Sequence, residues 1–155
     1  MLTRKEILEL LKPEPAWGDC DDWVYAKKVV TLKKAIHELH TAWDIIRDFE
    51  RPTFIELARQ ILATPQSELP EDKMVNLMKI KNGYNDKVVR VPVFLYGDLR
   101  ECWPDQFPSN GSVSDEEYVA EDANHRLTGY SLKFLEGQQN IGDIPAEIYY
   151  GRKRK

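Results

Sequence analysis

The feature that most constrains the fold is a change in the spacing of apolar residues about halfway along the 155-residue chain. Up to about residue 83, apolar residues recur every three or four positions, which is typical of amphipathic helices. From about residue 88, short runs alternate with polar residues as in strands, and one further helix interrupts them. This pattern predicts an α+β fold with a helical N-terminal region, residues 1–66. A small mixed sheet follows in residues 67–155, and we expect one compact unit.

Helix boundaries are marked by capping residues and prolines. The first predicted helix begins at the capping box Thr3–Glu6 and ends before Pro13. The second begins near Asp21 or Asp22, and the third follows Pro52–Thr53. A fourth helix is predicted from about Pro70 to Lys81.

The second predicted helix has a regular apolar seam with steps of four and three residues, the spacing of a heptad. Such a seam predicts a partner helix, either from this chain or from a second copy in a homodimer through residues 25–46. His37 and His40 fall off the seam and are predicted to be surface residues. The seam comprises Tyr25, Val29, Leu32, Ile36, Leu39, Trp43 and Ile46.

The second half of the chain begins with a strand predicted over Val88–Tyr96. Pro92 within it lacks an N–H, so the strand should lie at an edge or be irregular there. The segment Gly97–Glu117 has no clear periodicity. Long segments of this kind often form a functional loop, and Trp103 and Phe107 are candidates to anchor it.

A second strand, Tyr118–Glu121, runs into the polar turn Asp122–Arg126 and then into a helix closed by Gly137. Alternation over Ile144–Tyr150 predicts a last strand with one face buried. The predicted order is therefore strand, long loop, strand, helix, strand.

Composition limits the classes of partner. The formal charge is −4, and the last four residues, Arg152–Lys155, are all basic. An acidic body is a poor non-specific binder of polyanions, although this tail could contact nucleic acid or acidic protein.

The two cysteines lie in no metal-binding motif, so free cytosolic thiols are expected. No apolar run approaches the roughly 20 residues needed to cross a bilayer. No apolar signal core follows Met1–Glu6 either. These observations predict a cytoplasmic protein.

The turn after the second strand has the chemistry of a phosphate site. The first N–H groups of a helix lack internal partners and carry partial positive charge, so they bind phosphate. Arg126 can pair bidentately with phosphate, His125 can donate a hydrogen bond or move a proton, and Asn124 can cap the helix or bind a ligand oxygen. Asp122 could hold a metal ion or act as a base. Alternatively, Asp122 or Asn124 is only a helix N-cap, and His125 and Arg126 are ordinary polar residues on the exposed side of the helix.

The stretch Asp122–Leu127, Asp-Ala-Asn-His-Arg-Leu, resembles the Asp-Gly-Asn-His-Arg core of the ParB/sulfiredoxin-like superfamily. Its flanks are similar too: Val91–Tyr96 resembles that family's upstream strand, and Ile144–Ile148 its closing strand. The resemblance covers about residues 75–150. It implies a bacterial or phage protein that binds nucleotide phosphates, with ATP, ADP or CTP and Mg²⁺ as cofactors.

The resemblance also implies roles for individual residues. Asn124, His125, Arg126 and Thr128 would bind the nucleotide, and Asp122, His125 and Arg126 would carry catalysis. Asp122 and Glu121 would hold the metal. The implied activity is phosphoryl transfer or nucleoside triphosphate hydrolysis.

Two alternatives stay open on the same fold. One is a metal-dependent nuclease at the same turn, which would also need a basic face for its substrate. The other is a binding or inhibitor protein that keeps the fold without the chemistry.

Two positions depart from the family pattern. Ala123 stands where the family usually has glycine, which would cost about 1 kcal/mol if the position requires a positive φ. Asn124 stands where sulfiredoxins have cysteine, which argues against sulfinic-acid reduction. The first departure bears on catalysis more than on the fold.

Overall fold

The computed structural model describes residues 1–12, 22–42, 51–69, 71, 86–109 and 113–154. Its strands are β1 (Leu2–Thr3), β2 (Trp23–Thr31), β3 (Val89–Leu95), β4 (Tyr118–Ala120) and β5 (Pro145–Lys153). Its α-helices are α1 (Arg4–Leu11), α2 (Leu32–Glu38), α3 (Phe54–Ala63), α4 (Tyr96–Cys102) and α5 (Asn124–Leu135). Two 3-10 turns cover Gln66–Glu68 and Gln139–Asp143.

The strands form one mixed sheet in the order β1-β2-β5-β3-β4. β5 is central: it pairs antiparallel with β2 along the whole of both strands and parallel with β3. The short β4 pairs antiparallel with β3 at one edge, and the two-residue β1 pairs with β2 at the other. The predicted α+β class and small mixed sheet are confirmed.

A hydrophobic core lies on each face of the sheet. On the first face, side chains of α2, α3 and α5 pack on alternating residues of β3 and β5, including Val91 and Ile148. On the second face, α1 and α4 cover an aromatic cluster in which Trp23 and Phe94 meet edge to face, with ring centroids 4.5 Å apart. Elements from both halves of the sequence therefore share the same sheet and cores.

The first three α-helices begin at threonines whose hydroxyls accept a hydrogen bond from an N–H of the first turn. The predicted starts of α1 and α3 are confirmed by these caps, which are worth about 1 kcal/mol each. The capping residues are Thr3, Thr31 and Thr53.

The prediction of a helix from Asp21 or Asp22 through the heptad seam is wrong, because residues Trp23–Thr31 form β2. This segment is rich in aromatic and β-branched residues, which favour strands, and pairing with β5 decides the outcome. The seam residue Val29 is 55% exposed. Within the described residues 25–42, helical structure is limited to α2, so the seam is not one continuous helix. The seam residues Trp43 and Ile46 lie outside the described residues.

The prediction that His40 lies at the surface is also wrong, because this residue is buried. Its Nε2 lies 2.6 Å from a carboxylate oxygen of Glu117, and its Nδ1 lies 2.6 Å from the Arg51 carbonyl oxygen. Its backbone bridges to β4, because its N–H donates to Tyr118 and its carbonyl accepts from Ala120. His37 is exposed, as predicted.

The strand containing Pro92 lies inside the sheet, so the prediction of an edge strand is wrong. The ladder with β4 covers only Val93–Leu95, and Pro92 lies just beyond it, where the missing N–H interrupts little. The segment after β3 is less irregular than predicted, because it begins with α4.

Phe107 is fully buried and anchors this segment as predicted, while Trp103 is half-buried. The predicted fourth helix lies outside the described residues, apart from Glu71. No helix in the described part of the chain is long and apolar enough to cross a membrane.

Candidate functional site

The turn between β4 and α5 reverses the chain through a left-handed residue. Ala123 occupies the N-cap position of α5 with φ 65° and ψ 17°. An L-residue with a Cβ is strained in this region, so alanine costs about 1 kcal/mol relative to glycine. The turn therefore does require the positive φ that glycine would adopt easily.

The start of α5 differs from the threonine-capped starts of α1, α2 and α3. The methyl side chain of Ala123 cannot accept a hydrogen bond, and no side chain from this residue caps the helix. Ala123 contributes its carbonyl, which accepts from the Leu127 N–H at 2.9 Å. Ala123 thus provides no side-chain cap, and the positive end of the helix dipole lies at this turn, where it favours an anion.

A polar cavity of about 410 Å³ lies against this helix start. Four of the predicted site residues line it together: Asp122, Asn124, His125 and Arg126. Ala123 of the turn itself also lines it. The end of α1 contributes Leu10 and Leu11, the segment before β3 contributes Asp86 and Val88, and β3 contributes Arg90 and Pro92. The cavity thus joins three separate parts of the chain.

Arg126 lies next to a carboxylate that is held in place. Its Nε is 3.8 Å from Oδ2 of Asp86. The Tyr130 hydroxyl donates a hydrogen bond to that carboxylate and accepts one from the Asp86 N–H at 3.0 Å. Burial, together with the bond to Asp86, raises the pKa of Tyr130 to about 12, so the phenol keeps its proton at neutral pH.

Arg90 adds a second guanidinium to the wall of the cavity. Its Nε donates to Oε2 of Glu147 at 2.8 Å on the neighbouring strand. This hydrogen bond and the charge of Glu147 raise the pKa of Arg90. Arg90 and Arg126 line the same cavity as Asp86 and Asp122, so it is suited to an anion that binds together with a cation.

Glu121 faces away from the cavity and is 4% exposed. Both of its carboxylate oxygens accept hydrogen bonds from the Arg4 guanidinium, each at 2.7 Å. Arg4 also donates to the Tyr25 hydroxyl at 2.7 Å and lies over the Phe94 ring. Burial opposes the charge on Arg4, but its bonds to Glu121 outweigh this and raise the pKa of Arg4.

This ion pair separates the two acidic residues that were predicted to hold a metal. Glu121 is committed to Arg4, whereas Asp122 is half-buried and lines the cavity. Among the described residues, no group of three or more His, Cys, Asp or Glu side chains could hold a metal ion.

Asn124 lines the cavity, but its side chain also holds the turn to a neighbouring segment. Its Oδ1 accepts from the Ala42 N–H at 3.0 Å and from the Thr41 hydroxyl at 3.3 Å, and its Nδ2 donates to the Ala120 carbonyl at 3.2 Å. Thr128 is fully buried, and its hydroxyl donates to the Asn124 carbonyl at 2.7 Å, so it does not line the cavity.

Sequence reasoning missed Asp86 and Arg90. A signal for Arg90 existed, because it is the outward residue between the buried Val89 and Val91 in an alternating strand. Asp86 precedes that strand without any recognisable motif. Its role depends on Tyr130, 44 residues away.

No family model, no curated protein and no solved structure matches the chain.

Proposed function

We propose that this protein binds a nucleotide through its phosphates at the start of α5 and transfers or hydrolyses a phosphoryl group there. One observation carries the proposal: Asp122, Asn124, His125 and Arg126 line a single polar cavity at the N-terminus of α5, where Ala123 provides no side-chain cap. The same residues form the stretch that resembles the ParB/sulfiredoxin-like superfamily.

Electrostatics favour an anion in this cavity. Arg90, Arg126 and the positive end of α5 lie at its wall. Asp86, 3.8 Å from Arg126, and Asp122 also line the cavity and balance the charge of the two arginines, so a phosphate would bind there together with Mg²⁺. A di- or triphosphate, with several oxygens spread over the cavity, would contact the helix amides and both arginines together.

Asp122 is the carboxylate of the turn that could hold Mg²⁺. Magnesium in nucleotide sites takes one or two protein carboxylates and completes its shell with phosphate oxygens and water, so the absence of a larger acidic cluster among the described residues fits this use. The ion would supply charge neutralisation on the phosphates. The protein's own residues would bind and orient the nucleotide.

His125 is the candidate for moving a proton. It lies on the first turn of α5 between Asn124 and Arg126 and lines the cavity. An imidazole in this position can donate to a phosphate oxygen or accept the proton of an attacking hydroxyl. The braced Asn124 would keep this turn in place during such a step.

A binding protein without chemistry is the second candidate. Two observations favour it. Ala123 strains the backbone of the turn, and Glu121 is paired with Arg4, so its carboxylate cannot also hold a metal ion. A nuclease on the same site is less favoured, since only one of the two acidic residues of the turn lines the cavity.

The test is a thermal-shift screen with ATP, ADP, CTP and GTP, each with and without Mg²⁺. A nucleotide at 100 times its Kd stabilises the native state by about 2.7 kcal/mol, which raises Tm by roughly 5–10 °C for a chain of this size. The double variant His125→Ala/Arg126→Ala should lose the shift. The matched control His37→Ala/Arg59→Ala, at exposed positions on α2 and α3, should keep it.

Product analysis then separates the two candidates. Release or transfer of phosphate that depends on Asp122 supports the enzyme, whereas a retained shift without turnover supports the binding protein. No shift with any of the four nucleotides would contradict nucleotide binding at this cavity, with or without catalysis.

A further inference from the structure

The described residues cover the first face of the sheet along only part of its length. Helices α2, α3 and α5 pack over the end that carries Val89, Val91, Ala146 and Ile148. At the other end the same face lines a groove of about 910 Å³. We call this the open half of the sheet: Thr3, Val24, Ala26, Lys28, Leu95, Tyr118, Tyr150 and Arg152.

Strand register places these residues on one surface. Ala26 lies directly opposite Tyr150, and Val24 lies opposite Arg152, across the β2–β5 ladder. Leu95 is opposite Tyr118 across the β3–β4 ladder. Because Ala26 is small, it leaves space beside the Tyr150 ring.

Positive charge lies along this apolar and aromatic floor on the side of β2 and the end of β5, whereas Glu38, Glu116 and Glu117 line a neighbouring pocket on the other side of the two tyrosines. Lys28, Arg152 and Arg154 have exposed side chains at the groove. Lys27 and Lys153 also line it, at 3.6 Å from Glu147 and 3.7 Å from Glu101 respectively. Asp98 is the acidic lining residue, and its Oδ2 accepts from the Lys153 N–H. The groove is thus basic, although the chain as a whole carries a charge of −4.

Two tyrosines on the floor form an ordered aromatic pair. Tyr118 and Tyr150 pack edge to face, with centroids 4.8 Å apart and an interplanar angle of 77°. The Arg152 Nε donates to the Tyr118 hydroxyl at 2.9 Å, which sets a guanidinium beside the pair. Both rings are half-buried, so their remaining surface is accessible at the groove.

We propose that the open half of the sheet binds single-stranded nucleic acid. Exposed aromatic rings on a sheet can stack unpaired bases, and the adjacent lysines and arginines can follow the phosphodiester backbone. A duplex keeps its bases stacked inside and could use the cations only. An anionic membrane surface would also use the cations, but it would leave the ordered tyrosine pair without a role.

Fluorescence anisotropy with labelled oligonucleotides of about 12 nucleotides tests this proposal. Poly-dT and poly-U single strands and a duplex of equal length would be titrated with the protein at low and moderate salt. The charge-reversal variant Lys28→Glu/Arg152→Glu/Arg154→Glu should weaken single-strand binding at least tenfold and make the slope of log K against log salt shallower by about 2. The control Lys5→Glu/Lys34→Glu/Arg59→Glu makes the same charge change at exposed positions on three helices and should have little effect.

Replacing one ring separates stacking from charge. Tyr118→Leu keeps an apolar side chain and should weaken single-strand binding about tenfold without changing the salt slope; circular dichroism would check that the variant is folded. Arg126→Ala, which alters the other cavity, should leave this binding unchanged. The proposal is overturned if single strands fail to bind, if the duplex binds equally well, or if the control triple variant loses as much affinity. Binding to anionic vesicles but not to oligonucleotides would overturn it as well.

Discussion

Two carboxylates that are neighbours in the sequence lie in opposite surroundings. Glu121 is 4% exposed and accepts two hydrogen bonds from Arg4, whereas Asp122 is half-buried and lines the polar cavity. One side of the turn is thus fixed by a closed ion pair, and the other side is open to solvent. The turn is therefore held by contacts of Arg4 and Glu121 that do not line the cavity.

The largest expected effect on stability comes from breaking the buried ion pair between Arg4 and Glu121. Glu121→Gln would leave the Arg4 guanidinium buried without its counter-charge, and such a change costs about 3–5 kcal/mol of the free energy of unfolding. Urea denaturation measures it. Asp115→Asn, which removes the partner of Arg100 in a much more exposed pair, should cost less than about 1 kcal/mol. Equal losses in the two variants would show that the buried pair does not fix the turn.

The next effect concerns the side chain that ties the turn to residues 41 and 42. Asn124→Ala removes three hydrogen bonds and leaves the Ala42 N–H without that acceptor, so we expect a loss of about 2 kcal/mol. Asn140→Ala, at an exposed position, should stay within about 0.5 kcal/mol of the parent protein. If Asn124→Ala also loses less than about 0.5 kcal/mol, the hydrogen bonds of the Asn124 side chain are not needed to hold the turn.

A smaller effect is expected on the far wall of the cavity. Tyr130→Phe removes the hydrogen bond to Asp86 and should lower the free energy of unfolding by about 1 kcal/mol near pH 8. Burial raises the Tyr130 pKa to about 12 in the folded state. Its stabilising contribution is therefore full below pH 10, the ordinary range of tyrosine, and is lost as the pH rises through about 12.

Denaturation at several pH values checks this sign. The difference in stability between the parent protein and Tyr130→Phe should shrink between pH 10 and pH 12. A difference that stays constant over this range would contradict the assigned environment of Tyr130.

The smallest effect has the opposite direction. Ala123→Gly should raise the free energy of unfolding by up to about 1 kcal/mol, because glycine adopts φ 65° without strain. The same substitution at Ala63, the last residue of α3, should lower it by up to about 1 kcal/mol. If both variants lose stability, the left-handed conformation at residue 123 is not a source of strain.

Signals that depend on sequence neighbours led to correct predictions. Thr3 and Thr53 cap α1 and α3, and Gly137 ends the last helix region with a φ of 108°. The turn Asp122–Arg126 was also located from local pattern, because a strand end, a polar cluster and an apolar helical face follow one another. In each case the physical cause lies within a few residues of the element.

Predictions failed where distant residues decide the structure. Tyr25 and Val29 of β2 fit the heptad spacing, but pairing with β5 makes this segment a strand. The different surroundings of Glu121 and Asp122 depend on Arg4, which lies 117 residues from Glu121 in the sequence. Asp86 joins the site through Tyr130 in the same way. No local pattern contains this information.

Binding of phosphate at the start of α5, as proposed above, is tested most directly by amide chemical shifts. In ¹H–¹⁵N spectra, addition of Mg²⁺ with ADP should shift the amides of Asn124, His125 and Arg126 most strongly, with smaller changes at Asp86 and Arg90. Unchanged signals at residues 124–126 with saturating nucleotide, or shifts confined to the open half of the sheet, would contradict this proposal.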